Sequence, residues 1–408
     1  MLDASVFRAL YKPSIKKFIE SKSIIVEDKA PEYSLDTSSK SFLLDLLNEL
    51  KSHGFISVGD LEKFLVDELN YGRAKNMYIE FIDDIELSTI DEFIDRINLL
   101  EIKGYKNASE VEGKYYVKDI AKFIELGEKR LIFSEIDSSG NSVECIRLLL
   151  AEGISLKESL RSNNYYSIEI NIKLNIIAIR IINWGDQALV KYAPDNKHKE
   201  IFSMIRQIFA IQSHAKLKDT QKLVYNLVDD LTGRVLNSTI TYVDNLVKED
   251  IMSSVEEWGN KILDHGRKLE KSDKEVITQL MLNNYYRVKM ALDFKRLTPS
   301  ILKNKFDVQA YPRQVKFFDD TIGEGKARSS DPMESVLDTS VFYDIKARLD
   351  KEKNIKNSII YWLGCEDEKH FGTAIHVDNQ DRFKIVFYPK YFNKGKCDYV
   401  LQQIKGYY

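Results

Sequence analysis

From Tyr166 to Ile182 apolar residues occupy every second position: Ile168, Ile170, Ile172 and Leu174 alternate with Glu169, Asn171 and Lys173, and Ile177, Ile179 and Ile181 continue the period. A side-chain repeat of two marks an extended strand with one buried face, and Lys173 to Asn175 is where the chain turns back. A two-stranded ribbon alone is marginally stable at best. The hairpin must therefore pack on helices or join a larger sheet, and the chain belongs to the mixed α+β class.

Elsewhere helical spacing dominates the first two thirds. Phe42, Leu43, Leu46, Leu47 and Leu50 recur at helical intervals up to His53-Gly54, a glycine terminus. Ser57 before Asp60 caps a second helix carrying Leu61, Phe64, Leu65 and Leu69, and Thr89 to Glu92 forms a capping box before Phe93, Ile94 and Ile97. Between them Met77, Tyr78, Phe81 and Ile82 read as a third helix, with Arg73, Lys75 and Asn76 at the start of what would be the recognition helix of a helix-turn-helix. Glu80, Asp83 and Asp84 on the same helix would repel phosphates, so a plain helical bundle competes with that reading. After the hairpin come helical patterns at Ile201 to Phe209, Leu223 to Leu231, Tyr242 to Leu263 and Val276 to Leu292.

Thr298-Pro299-Ser300 closes this run. Beyond it, short strand-like pieces (306–311, 315–318, 359–363, 373–377 and 383–388) alternate with polar turns and with helical pieces at 337–349 and 397–404. At 408 residues the chain exceeds what one hydrophobic core sustains. The expected division is a mostly helical domain at 1–145, a β-hairpin with long helices at 146–305, and a C-terminal α/β domain with antiparallel strands at 306–408.

No stretch approaches the roughly 20 apolar residues that cross a bilayer, and Met1-Leu2-Asp3-Ala4 lacks the basic-then-apolar layout of a secretory signal. The expectation is a cytoplasmic protein with no membrane partner, whose 3 cysteines stay reduced. With 60 basic against 63 acidic residues the net charge is -3. Any attraction to polyanions has to be local.

Basic and aromatic residues interleave near the end of the chain. Lys384, Lys390, Lys394 and Lys396 stand among Phe383, Phe387, Tyr388, Tyr391, Phe392 and Tyr399, the residue types that neutralise phosphates and stack on bases. The alternative is a hairpin whose rings fill the core while its lysines keep the edge soluble. A second basic stretch runs from Asp319 to Ser330, where Gly323 and Gly325 precede the donors Lys326, Arg328, Ser329 and Ser330. It reads either as a phosphate-contacting loop or as an exposed connection. The same region holds Asp307, Glu324 and Lys326, the residue types of a metal-dependent nuclease, although Glu324 and Lys326 sit in a polar turn instead of on the apolar strand such a site needs. Cys365, His370, His376 and Cys397 are of zinc-ligand type but irregularly spaced, so no resident metal is expected.

The element order helix 337–349, three strands 359–388 and helix 397–404 resembles that of a double-stranded RNA-binding domain. Cys397, Asp398 and Tyr399 stand where that family's last helix carries small and basic residues.

These features point to a non-catalytic component of a bacterial multiprotein system, anti-phage defence among the candidates. It would contact nucleic acid or a protein partner of the same system through Lys326, Arg328, Lys384, Lys390, Lys394 and Lys396. No cofactor is expected on that reading. The alternative is a nuclease using magnesium or manganese at Asp307, Glu324 and Lys326.

Overall fold

The computed structural model describes residues 3–22, 39–72, 75–85, 89–108, 115–116, 122–156, 161–184, 190–212, 217–262, 269–319, 323–331, 333–364, 370–378, 382–388 and 392–408. The chain is of mixed α+β class and divides into two compact units, Met1–Ala215 with Lys384–Gln402, and Lys216–Phe383 with Gln403–Tyr408. The expected boundary at 145/146 falls inside one strand, Ser142–Ser155. A boundary read from composition cannot see a strand whose partners lie on both sides of it.

In the first unit the hairpin foreseen from the sequence is present. Arg161–Asn171 pairs antiparallel with Ile176–Ile182, and Asn175 takes a left-handed conformation in the turn. The demand for a larger sheet is met on both sides. Lys75–Phe81 adds to Ile176–Ile182, while Ser142–Ser155 and then Lys129–Ser139 add to Arg161–Asn171.

Both faces of this sheet are covered. Helices Ile90–Asn98 and Pro194–Phe209 bring Phe93, Ile97, Ile201, Ile205 and Phe209 against Tyr78, Ile168, Ile170, Ile179 and Ile181. Helices Lys40–Ser52 and Val58–Asn70 bring Leu43, Leu47, Leu61 and Leu65 to the core that holds Phe133, Leu149, Tyr165 and Ile182. The foreseen caps at Ser57 and Thr89 are made, the latter as a complete capping box.

Burial on both sides corrects the expected helix at Met77 to Ile82, and with it the helix-turn-helix. Lys75–Phe81 is a strand, and Arg73 lies outside the described residues. A strand buried on both faces is apolar without alternation, so Met77, Tyr78 and Phe81 fall at helical spacing by coincidence.

The same burial encloses polar residues of the hairpin that alternation alone would turn to solvent. Glu169 is 2 % exposed and Arg180 1 %. Arg180 donates through Nη2 to Glu169 Oε2 at 2.8 Å and through Nε to Cys397 Sγ at 3.3 Å, and its guanidinium lies 4.8 Å from the Tyr71 ring centroid. Asn171 Nδ2 donates to the other carboxylate oxygen at 3.3 Å.

The second unit is a helical layer on an antiparallel sheet. The two long patterns at 223–231 and 242–263 are one continuous helix, Leu217–Ile262, which packs against Lys271–Asp293. Thr239 Oγ1 meets Met290 Sδ at 3.1 Å, and Lys274 pairs with Glu256 at 3.0 Å. The strands run side by side in the order Gly323–Arg328, Ala310–Asp319, Asn357–Trp362, Phe371–Asp378. Of the two pieces read at 306–311 and 315–318, only the end of the first joins the second, in strand Ala310–Asp319 with an irregularity between Pro312 and Gln314, while Phe306 ends helix Pro299–Phe306.

The element order that resembles an RNA-binding domain is divided between the two units. Helix Ser340–Glu352 and strands Asn357–Trp362 and Phe371–Asp378 belong to the second unit, whereas residues 384–402 belong to the first.

Candidate nucleic-acid interface

Strand Gly323–Arg328 occupies the stretch read from the sequence as a polar loop. Glycine is depleted in strands because it packs nothing and gains backbone freedom on unfolding, which hid the pattern. Here it has a specific task. A β-carbon on Gly325 would lie 2.2 Å from Phe317 Cε1, so the close approach of the Phe317 ring requires glycine. With Gly323 and Gly325 removed from consideration, Glu324, Lys326 and Arg328 alternate as a strand face should.

Strand register sets the partners of this face. Lys326 stands across from Lys316, Glu324 across from Phe318, and Arg328 across from Gln314. The row through Lys316 continues to Asn357 and then His376. On the other side of the sheet Val315, Phe317, Ala327, Ile360 and Ile375 are buried, and helices Leu217–Ile262 and Ser340–Glu352 pack against these strands.

The outward row is built from charge, amide and ring. Gln314 Nε2 donates to Asn357 Oδ1 at 2.7 Å, and Asn357 Nδ2 lies 2.6 Å from His376 Nδ1. Lys316 pairs with Glu324 at 2.7 Å. Lys326 and Arg328 are exposed, and among the described residues neither has an ion-pair partner. Lys356 Nζ lies over the Phe318 ring, 4.2 Å from its centroid, and Phe318 is 40 % exposed.

Two lysines directly opposite on adjacent strands oppose folding. Edge strands do carry lysines that discourage unwanted pairing, and Gly323–Arg328 is such an edge. That need does not account for Lys316, which lies on the next strand inward. The Lys316–Glu324 pair offsets part of that repulsion, and Lys326 and Arg328 remain as exposed cations beside it.

The other basic residues singled out from the sequence are not gathered here. Lys384 is half-buried, pairs with Asp195 at 3.3 Å and lies 5.7 Å from the Tyr78 ring centroid. Lys396 is buried, Lys394 is exposed at the start of helix Lys394–Lys405, and Lys390 lies outside the described residues. Phe383, Phe387 and Phe392 are core residues.

The nuclease residues are also apart. Asp307 ends helix Pro299–Phe306 in a left-handed conformation, where its carboxylate accepts from Gln309 Nε2. Glu324 pairs with the far end of the following strand, about 30 Å of extended chain away. Of the zinc-type residues, Cys397 lies beside Arg180 in the first unit, His376 is on the sheet of the second, and Cys365 is outside the described residues. Burial pushes the Cys397 thiol up to about 11 and Cys145 to about 12, which leaves both protonated and unreactive at neutral pH.

Among the described residues no cluster of three or more His, Cys, Asp or Glu could hold a metal, and no helix is long and apolar enough to cross a membrane. The signal for Lys316, Lys356 and Phe318 was in the sequence only as isolated residues, since register alone brings them together. No family model, curated protein or solved structure matches this chain.

Proposed function

We propose that the protein binds nucleic acid through the sheet face carrying Lys316, Lys326 and Arg328, and that it does so without cleaving it. The supporting observation is the opposed pair Lys316 and Lys326 next to Arg328, which is exposed and has no ion-pair partner among the described residues. Cations concentrated on one surface of a net-acidic chain give a local footprint for phosphates. Lys326 and Arg328, expected from the sequence as polyanion contacts, are part of it. Glu324 has a different role on this reading, holding the Lys316 side chain in place.

The test is retention of labelled oligonucleotides on a filter at low salt, with and without magnesium or manganese. Binding without metal and intact oligonucleotides are expected, for the wild type and for Glu324→Gln alike. Metal-dependent cleavage lost in Glu324→Gln would replace this reading with the nuclease. Failure to retain any oligonucleotide, with capture of a protein instead, would make the face a protein-docking surface.

A further inference from the structure

We infer that the nucleic acid this face takes is single-stranded, with an unpaired base stacked on Phe318. The inference rests on the nucleic-acid reading above and adds the substrate class.

Shape is the first argument. A duplex is read by an element narrow enough to enter a groove, and the major groove is about 12 Å wide. The row from Lys326 through Lys316 and Asn357 to His376 crosses adjacent strands of a sheet, a breadth of about 14 Å at the usual strand spacing before side chains are added. Such a surface is too broad to read base edges in the major groove, whereas an extended single strand can lie along it.

The ring is the second argument. Phe318, next to last in strand Ala310–Asp319, is on the same face as Lys316, with two fifths of its surface exposed and the Lys356 ammonium over the ring. An exposed phenylalanine has no hydrogen-bonding group, so what it offers a nucleic acid is a stacking surface. In a duplex the base faces are already stacked on one another, and only an unpaired base can present one. A base stacking on that ring face takes the place of the Lys356 ammonium, which on its flexible stem can turn to the phosphate of the same nucleotide.

The amide and imidazole row is the third. Asn357 and His376 lie beside the cations, hydrogen-bonded to each other and to Gln314, and only splayed, unpaired bases could exchange those bonds for contacts with their edges. The pairing of stacking ring, phosphate cations and edge-binding amides on one flat face is the chemistry of single-strand recognition.

Fluorescence anisotropy on the full chain separates the outcomes. The probes are a thymidine and a uridine homopolymer of about 20 nucleotides, long enough to cover one site, and a duplex of equal length. Tighter binding of either homopolymer than of the duplex is expected, with Phe318→Ala weakening it about ten-fold or more and Phe318→Trp restoring it. The tryptophan variant should also show quenching on adding the homopolymer. Duplex binding as tight as single-strand binding, or no loss in Phe318→Ala, would overturn this inference and leave the nucleic-acid reading standing. Absence of binding to every probe would overturn both.

Discussion

Glu169→Ala is expected to destabilise the unit formed by residues 1–215 and 384–402 by about 3–5 kcal/mol, a large share of the roughly 5–15 kcal/mol that holds a domain together. The cause is the charge left behind. Arg180 is enclosed by the sheet and the helices over it, and without its carboxylate it retains the Cys397 sulfur at 3.3 Å and the Tyr71 ring as neighbours. Neither neutralises a guanidinium. A shift of the urea midpoint at unchanged slope measures the loss. Replacing both partners, Glu169→Leu with Arg180→Met, should recover most of it, since an apolar pair of similar volume avoids the desolvation of two ions.

The same pair sets an acid-sensitive contribution. Burial alone would raise the Glu169 carboxyl, but Arg180 and Arg147, with the hydrogen bonds from Arg180 and Asn171, outweigh it and hold the group below its ordinary value of 4.5. A carboxylate depressed in the fold stabilises it above the unfolded value, and this contribution is lost as pH falls through the depressed folded value. Burial pushes Asp67 and Asp398 in the opposite direction, so their protonation partly offsets the loss. Glu169→Gln should therefore be less stable than the wild type near neutrality and lose less on acidification.

Reversing Lys316, Lys326 and Arg328 together to glutamate is expected to weaken single-strand binding about 100-fold or more and to flatten the dependence of log affinity on log salt by about two. Each reversal removes a cation available to a phosphate and adds a repulsive charge in its place. Folding should survive, because Lys326 and Arg328 are exposed and the Lys316–Glu324 pair is a surface pair worth about 1 kcal/mol or less. Lys394→Glu serves as a matched control. It reverses an exposed lysine of helix Lys394–Lys405 and should leave affinity within about two-fold, as a charge outside the contact surface does at moderate salt.

Local signals were legible wherever one physical rule acted alone. The capping box at Thr89 and Glu92, the hairpin turn at Lys173 to Asn175 and the glycine end at His53-Gly54 all rest on backbone chemistry within a few residues. Met77 to Ile82 misled because burial on both faces erases the strand period. Gly323–Arg328 misled for another reason: the Phe317 ring dictates a glycine, and that requirement comes from a residue on a neighbouring strand. Lys326 and Arg328 could be named from sequence, but Lys316 and Phe318 join them through strand register alone, which no short window contains. Lys384 and Lys396 looked available because neither Asp195 nor the surrounding core is near them in the sequence.

Ultraviolet crosslinking of the intact protein to a uridine homopolymer, followed by mass spectrometry of the tryptic peptides, locates the contact surface without mutation. Crosslinks on Phe318 and on peptides from strands Ala310–Asp319, Gly323–Arg328 or Asn357–Trp362 are predicted. Crosslinks confined to helix Lys394–Lys405 or to the first unit, with none on these strands, would contradict the assignment of this face as the nucleic-acid interface.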